Sequence, residues 1–168
     1  MITMYQACVP PCLQTLGVLS TLVDKAVAHC EAHKIDPAAL LLARLYPNMY
    51  PFTRQIQVAT DAAKLASARL AGVTPPPYPD TETTFPELTQ RLAKTIAFLK
   101  TLEPAQFDGS ETREIVIPTG KGERRMTGLA YLQTFALPNF YFHATTAYAI
   151  LRHNGVELGK RDFLGLSG

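Results

Sequence analysis

Apolar residues return every three or four positions along four long stretches of this chain, and the segments between them are rich in proline, glycine and polar residues. That spacing is the period of an α-helix with one buried face, so the chain must pack helices against one another. The first stretch carries Tyr5, Val9, Cys12, Leu16, Leu19, Val23, Val27 and Cys30 and predicts a helix from about Ile2 to His33. Pro10 and Pro11 must either kink it or mark its true start, because a mid-helix proline removes a hydrogen bond and collides with the preceding turn. Asp36-Pro37 then opens a short apolar helix over AALLLARL, with Asp36 as N-cap, ending before Pro47. The second long helix is expected from Pro51 to Ala71, with Phe52, Ile56, Ala59, Ala63, Ala66 and Leu70 on one mostly alanine face and Gly72 as the stop. The proline-rich VTPPPYPDTETT that follows reads as a rigid surface connection.

The third helix is expected from Phe85 to Leu102, capped by Thr84, begun by Pro86 and striped by Leu88, Leu92, Ile96 and Leu99. The run Ile115-Val116-Ile117, the turn Gly120-Lys121-Gly122 and the polar strand after it predict a small β-hairpin packed on the helices. The fourth helix is expected from Thr127 or Gly128 to about Asn154, bent at Pro138, with Leu129, Leu132, Ala136, Phe140, His143, Ala147 and Ile150 on one face. The tail VELGKRDFLGLSG reads as irregular. The fold class is therefore all-α: a four-helix bundle with a short helix after the first helix and a hairpin before the fourth, as one domain over residues 1–168.

Composition narrows the function classes. With 47% hydrophobic and 18% charged residues the chain is not globally disordered. A net charge of +2 lacks the basic excess of a nucleic-acid binder. The three cysteines, Cys8, Cys12 and Cys30, are odd in number and form no CxxC pair, which argues against a disulfide framework or a zinc knuckle. Cys8 and Cys12 share a helical face and read as core packing rather than as a redox pair. The first lysine is Lys25, and the longest apolar run is AALLLA at 38–43, so neither a secretory signal nor a membrane span is expected and the location is read as cytoplasmic.

The string LPNFYFHATTAYAILRHNGVELGKRDFLG, the opening MYQACVPPCLQTLGVLSTLVDKAVAH, the segment YPNMYPFTRQIQVATDAAKLASARLAGV and DTETTF resemble a family of uncharacterised bacterial and fungal proteins (a domain-of-unknown-function, or DUF, family). That family is grouped by fold with the DinB/YfiT-like four-helix bundles, and the resemblance spans essentially the whole chain. It implies a superfamily of divalent-metal proteins and thiol-dependent transferases and isomerases, whose active members carry three histidine ligands, two of them at HxxxH spacing on the last helix. This chain departs from that triad: His143 is present but the i+4 position is Ala147, and Asn48 stands where the resemblance implies Asp. A degenerate metal site is the expectation.

The residues themselves leave alternatives open. His143 faces the bundle interior by periodicity, either as a ligand or general base in a pocket or as a structural histidine bonded to another helix, since an unpaired buried polar group costs about 1–3 kcal/mol. Gln55, Asn48, Asn139 and Tyr148 are the further pocket candidates, with Tyr50 and Tyr141 beside them. His29 and His33 form an HxxxH that can chelate a metal or simply answer the helix C-terminal dipole, as His153 does on the fourth helix. Asp61 and Lys64 read as a solvated i,i+3 pair, on a face where Val58 and Leu65 could meet another helix or subunit. The dense aromatic set Phe135, Phe140, Tyr141, Phe142 and Tyr148 exceeds what one helical face can bury, so either other helices wrap around the fourth helix or a second chain covers part of it, and a homodimer is the expected partner. Gly120-Lys121-Gly122 lacks the context of a phosphate loop. Three functions stand: a bundle of unassigned activity with a small-molecule pocket near His143, a divalent-metal-dependent transferase or isomerase with an altered ligand set, and a non-catalytic dimeric interaction protein.

Overall fold

The computed structural model of the chain describes residues 2–120 and 122–166. It is mostly helical, with one two-stranded antiparallel sheet. Helix α1 spans Met4–His33 and begins where Thr3 and Gln6 close a capping box, so the prolines do not mark its start. Pro10 and Pro11 lie inside the helix, where Cys8, Val9 and Cys12 are wholly buried and their packing carries the turn through the missing hydrogen bonds. By length and composition α1 would also pass for a membrane span, but its apolar side is the bundle core. Helix α2, Pro37–Leu41, is capped by Asp36 as expected but stops at Leu41, short of the full AALLLARL run. Helix α3, Phe52–Ala71, has Pro51 as N-cap, and Gly72 ends it in the left-handed region at φ 70°. Helix α4, Phe85–Lys100, opens on a Thr84–Glu87 capping box.

Contacts fix the directions of these helices. Cys8 near the start of α1 lies against Ser67 near the end of α3 (3.6 Å), so the two run antiparallel. Phe52 packs against Phe85 (6.2 Å between centroids) and Thr60 bonds Arg91 (2.7 Å), so α3 and α4 run parallel. A parallel pair forces the connecting chain to return along the whole of α3. The 20 residues of α3 are about 30 Å long. The connection over 73–84 reaches roughly 37 Å in the extended polyproline conformation. The run of prolines there is thus a matter of reach as well as stiffness.

Strand β1, Glu114–Thr119, pairs with β2, Gly122–Thr127, with Val116 opposite Arg125, and Ile115 and Ile117 point inward. Lys121, the middle of the expected turn, lies outside the described residues. Helix α5, Gly128–Tyr131, runs through a π-helical turn, Leu132–Ala136, into α6, Leu137–His153. The Leu137 N–H reaches back five residues to the Leu132 carbonyl. The expected bend at Pro138 takes the form of this turn, because Pro138 has no N–H to offer the preceding carbonyls. The tail is less irregular than its sequence reads: Val156 and Leu158 are buried, and α7, Lys160–Phe163, packs against α1, where Lys25 pairs with Asp162 (2.6 Å).

Candidate functional site

His143 lies on the face of α6 that meets α3, and it is only 7% exposed. Its Nδ1 is 2.7 Å from Gln55 Oε1. The Gln55 amide nitrogen in turn donates to the Tyr50 carbonyl (3.0 Å), which fixes which end of that amide carries the oxygen. Gln55 Oε1 can only accept, so Nδ1 must hold the proton and Nε2 is left as a lone pair. Burial, aided by the positive charge of Arg54, pushes the His143 pKa below 6.5 and keeps the ring neutral. Tyr50 stacks over the imidazole (6.4 Å) and Phe142 meets it edge-on (5.1 Å). Arg54 lies over the Tyr50 ring (5.7 Å) and pairs with Asp80 from the proline-rich connection. The result is a neutral acceptor with a fixed tautomer, set between two partly exposed aromatic rings.

The pH dependence follows from the lowered pKa. The unfolded chain takes up the imidazole proton at higher pH than the folded chain does. Stability is therefore full above pH 6.5 and is lost as pH falls through the folded value. In His143→Gln this loss is expected to vanish; urea unfolding at neutral pH and at acid pH, wild type minus variant, measures it.

The structure separates the other sequence-predicted residues. Asn139, one turn before His143 on α6, faces a second space between α3 and the π turn. Asn48 sits exposed in the turn that precedes α3, and Tyr148 packs edge-on against Phe163 of α7 (5.7 Å). That contact covers one ring of the aromatic set from within the chain. His29 and His33 lie side by side (4.4 Å) with His33 exposed, on a groove of about 810 Å³ shared with Lys25 and Arg152 at the far ends of α1 and α6. Among the described residues no group of three or more His, Cys, Asp or Glu side chains is placed to hold a metal ion. The donor set around His143 does not fit a three-histidine site: Nε2 is one ligand, Ala147 supplies none, and Gln55 Oε1 is already committed to Nδ1. Cys8 and Cys12 are buried, with the hydrogen bond between them drawing the Cys8 thiol down and the Cys12 thiol well up.

Sequence reasoning missed Arg91. It is 0% exposed on α4, and its guanidinium bonds Thr60 (2.7 Å), Asp61 (3.1 Å), Asp80 (3.0 Å) and Glu82 (3.1 Å). Lys64, read from the sequence as half of a solvated pair, is buried with Asp61 in this cluster (2.8 Å) and lies over the Tyr78 ring (3.9 Å). The signal was present: positions 88, 91, 92, 95 and 99 form the buried stripe of α4, and an arginine stands in it.

The chain matches, over residues 4–164, the family described as domain of unknown function (DUF1993). A solved structure, that of a DinB family member protein from Shewanella denitrificans, is similar to it at 42% identity and TM-score 0.92, covering 96% of this chain and 92% of that chain. Comparison with curated proteins gives no match. With the family match running from the first turn of α1 to the residue after α7, and the fold shared with a DinB family member, this chain belongs to the DUF1993 family.

Proposed function

We propose that this protein is a cytoplasmic, DinB/YfiT-like four-helix bundle that binds a small molecule at the His143 end of the α3–α6 seam. The observation that supports this reading is the Tyr50–Gln55–His143 chain of hydrogen bonds. It commits the buried Gln55 to holding one imidazole neutral, in one tautomer, with its Nε2 available as an acceptor or base. A crystal structure of untagged protein purified without chelator is expected to show ligand density against Nε2, Tyr50 and Phe142, with no stoichiometric metal. Stoichiometric zinc, nickel or manganese that disappears in His143→Ala would instead establish the metal-dependent transferase or isomerase.

A second reading rests on the surface around this site. Tyr46, Tyr50 and Phe142 are 63%, 51% and 55% exposed. We propose that a second copy of the chain covers them in a homodimer, as in the dimeric interaction protein read from the sequence. Light scattering after size exclusion is expected to give twice the chain mass at micromolar concentration, and Phe142→Glu to give the monomer; a strict wild-type monomer overturns this reading.

A further inference from the structure

Between α3, the π turn and β1 lies a separate space of about 330 Å³. That is the small end of the roughly 300–1,000 Å³ range of ligand pockets. Its long walls are apolar: Val58, Ala62 and Leu65 on α3, Phe135 on the π turn and Ile117 on β1. Arg69 stands at one end, where it donates to the Tyr131 hydroxyl (3.0 Å) and lies over that ring (5.7 Å). Among the described residues no carboxylate pairs with Arg69. The acid that lines the same space, Asp61, is already held by Lys64 (2.8 Å) and Arg91 (3.1 Å). Asn139 stands at the other end, eight residues beyond Tyr131, and its amide makes no hydrogen bond among the described residues. Eight helical residues put the two ends about 12 Å apart.

An unpaired guanidinium, an apolar slot and an unpaired amide are complementary to one kind of ligand. We infer that this space binds an elongated organic carboxylate with a flat apolar body and a hydroxyl or similar polar group at its far end. Arg69 takes the carboxylate through the N–H groups that Tyr131 leaves unused, since arginine matches a carboxylate with two parallel hydrogen bonds. The ring or chain lies between Ala62, Leu65 and Phe135, and Asn139 bonds the distal group. Phe135 on the π turn and Asn139 four residues later on α6 fall on one side of the helix and form that wall of the slot. The inference is independent of His143, which is not among the residues that line this space.

The test is an NMR titration of the full chain with 3-(4-hydroxyphenyl)propionate and with its uncharged counterpart 4-(3-hydroxypropyl)phenol. The acid is expected to shift the amides of Ala62, Leu65, Phe135 and Asn139 and to bind about 10-fold more tightly than the alcohol. Arg69→Gln is expected to erase that difference while leaving the alcohol unaffected, and Ala62→Leu, which fills the slot, to remove both. Equal binding of acid and alcohol, binding of neither, or shifts confined to His143, Tyr50 and Phe142 would overturn the assignment. The last of these outcomes would leave the His143 reading standing alone. If Arg69→Gln does not fold, the wild-type comparison and Ala62→Leu still decide the question.

Discussion

Arg91→Met is expected to lower the unfolding free energy by about 3 kcal/mol, a drop of roughly 6–12 °C in Tm for a chain of this size. The wild-type guanidinium is fully buried and every nitrogen is used: Nε on Thr60, Nη1 on the Pro79 carbonyl and Glu82, Nη2 on Asp61 and Asp80. Methionine keeps the stem volume and removes all of these bonds, which leaves three acids short of a partner. Each retains a second one: Asp61 keeps Lys64, Asp80 keeps Arg54, and Glu82 keeps the Gln57 amide. The loss therefore falls at the low end of the about 3–5 kcal/mol typical of breaking a buried pair from one side. Burial by itself would raise the Asp80 carboxyl, but the Arg54 hydrogen bond and charge, with Arg91 beside it, outweigh burial and hold its pKa below the ordinary value. The variant should also expose the connection that the clamp ties down. Faster amide exchange at Thr81, Glu82 and Thr83 than at mid-α3 positions would show that the strap has come loose. Retention of both Tm and protection would overturn the clamp. Arg91→Lys, with one charge and fewer donors, should fall between the two.

The helices were legible because their signals are local. The Thr84 cap, Asp36-Pro37, Gly72 and Asn154-Gly155 all act within one turn of the ends that they set. His143 was legible as an inward residue from its period alone, and its partner Gln55 was among the pocket candidates. Three things were not. The parallel course of α3 and α4 is a property of two helices 33 residues apart at their starts, Phe52 and Phe85, and only their contact reveals it. The proline-rich connection reads as solvent-facing because Asp80 and Glu82 are charged, while the arginine that pairs with both stands on another helix. Asn139 and His143 share a face of α6, yet they open onto different spaces, because α3 offers Gln55 to one and the Ala62 stretch to the other. Spacing along one helix places residues on a face; it does not say what the facing helix presents there.

Gly128→Ala is expected to destabilise the chain by about 3 kcal/mol, at the upper end of ordinary overpacking, although Gly128 opens a helix with no left-handed backbone to explain its glycine. A Cβ on Gly128 would sit 1.8 Å from the Ser110 carbonyl oxygen and 3.0 Å from its carbon. Both are backbone atoms, so no side-chain rotation relieves the clash. The segment that carries them is held in place: Gly128 N–H bonds the Arg113 carbonyl (2.8 Å), Leu129 N–H the Glu111 carbonyl (3.0 Å) and Ser110 N–H the Phe107 carbonyl (3.0 Å). Either α5 moves away or that network breaks. Gly17→Ala is the internal control. It lies mid-helix in α1 with nothing within 4 Å of its added carbon, and should stabilise by about 0.5–1 kcal/mol. Chemical denaturation of the two variants side by side separates steric clash from glycine's general backbone freedom; equal effects would overturn the close-approach argument. The position also bears on binding. Tyr131 is three residues beyond Gly128 and holds Arg69 by its hydroxyl. A displaced α5 would move that anchor, so Gly128→Ala should weaken 3-(4-hydroxyphenyl)propionate binding at temperatures where the variant is still folded, and Gly17→Ala should not.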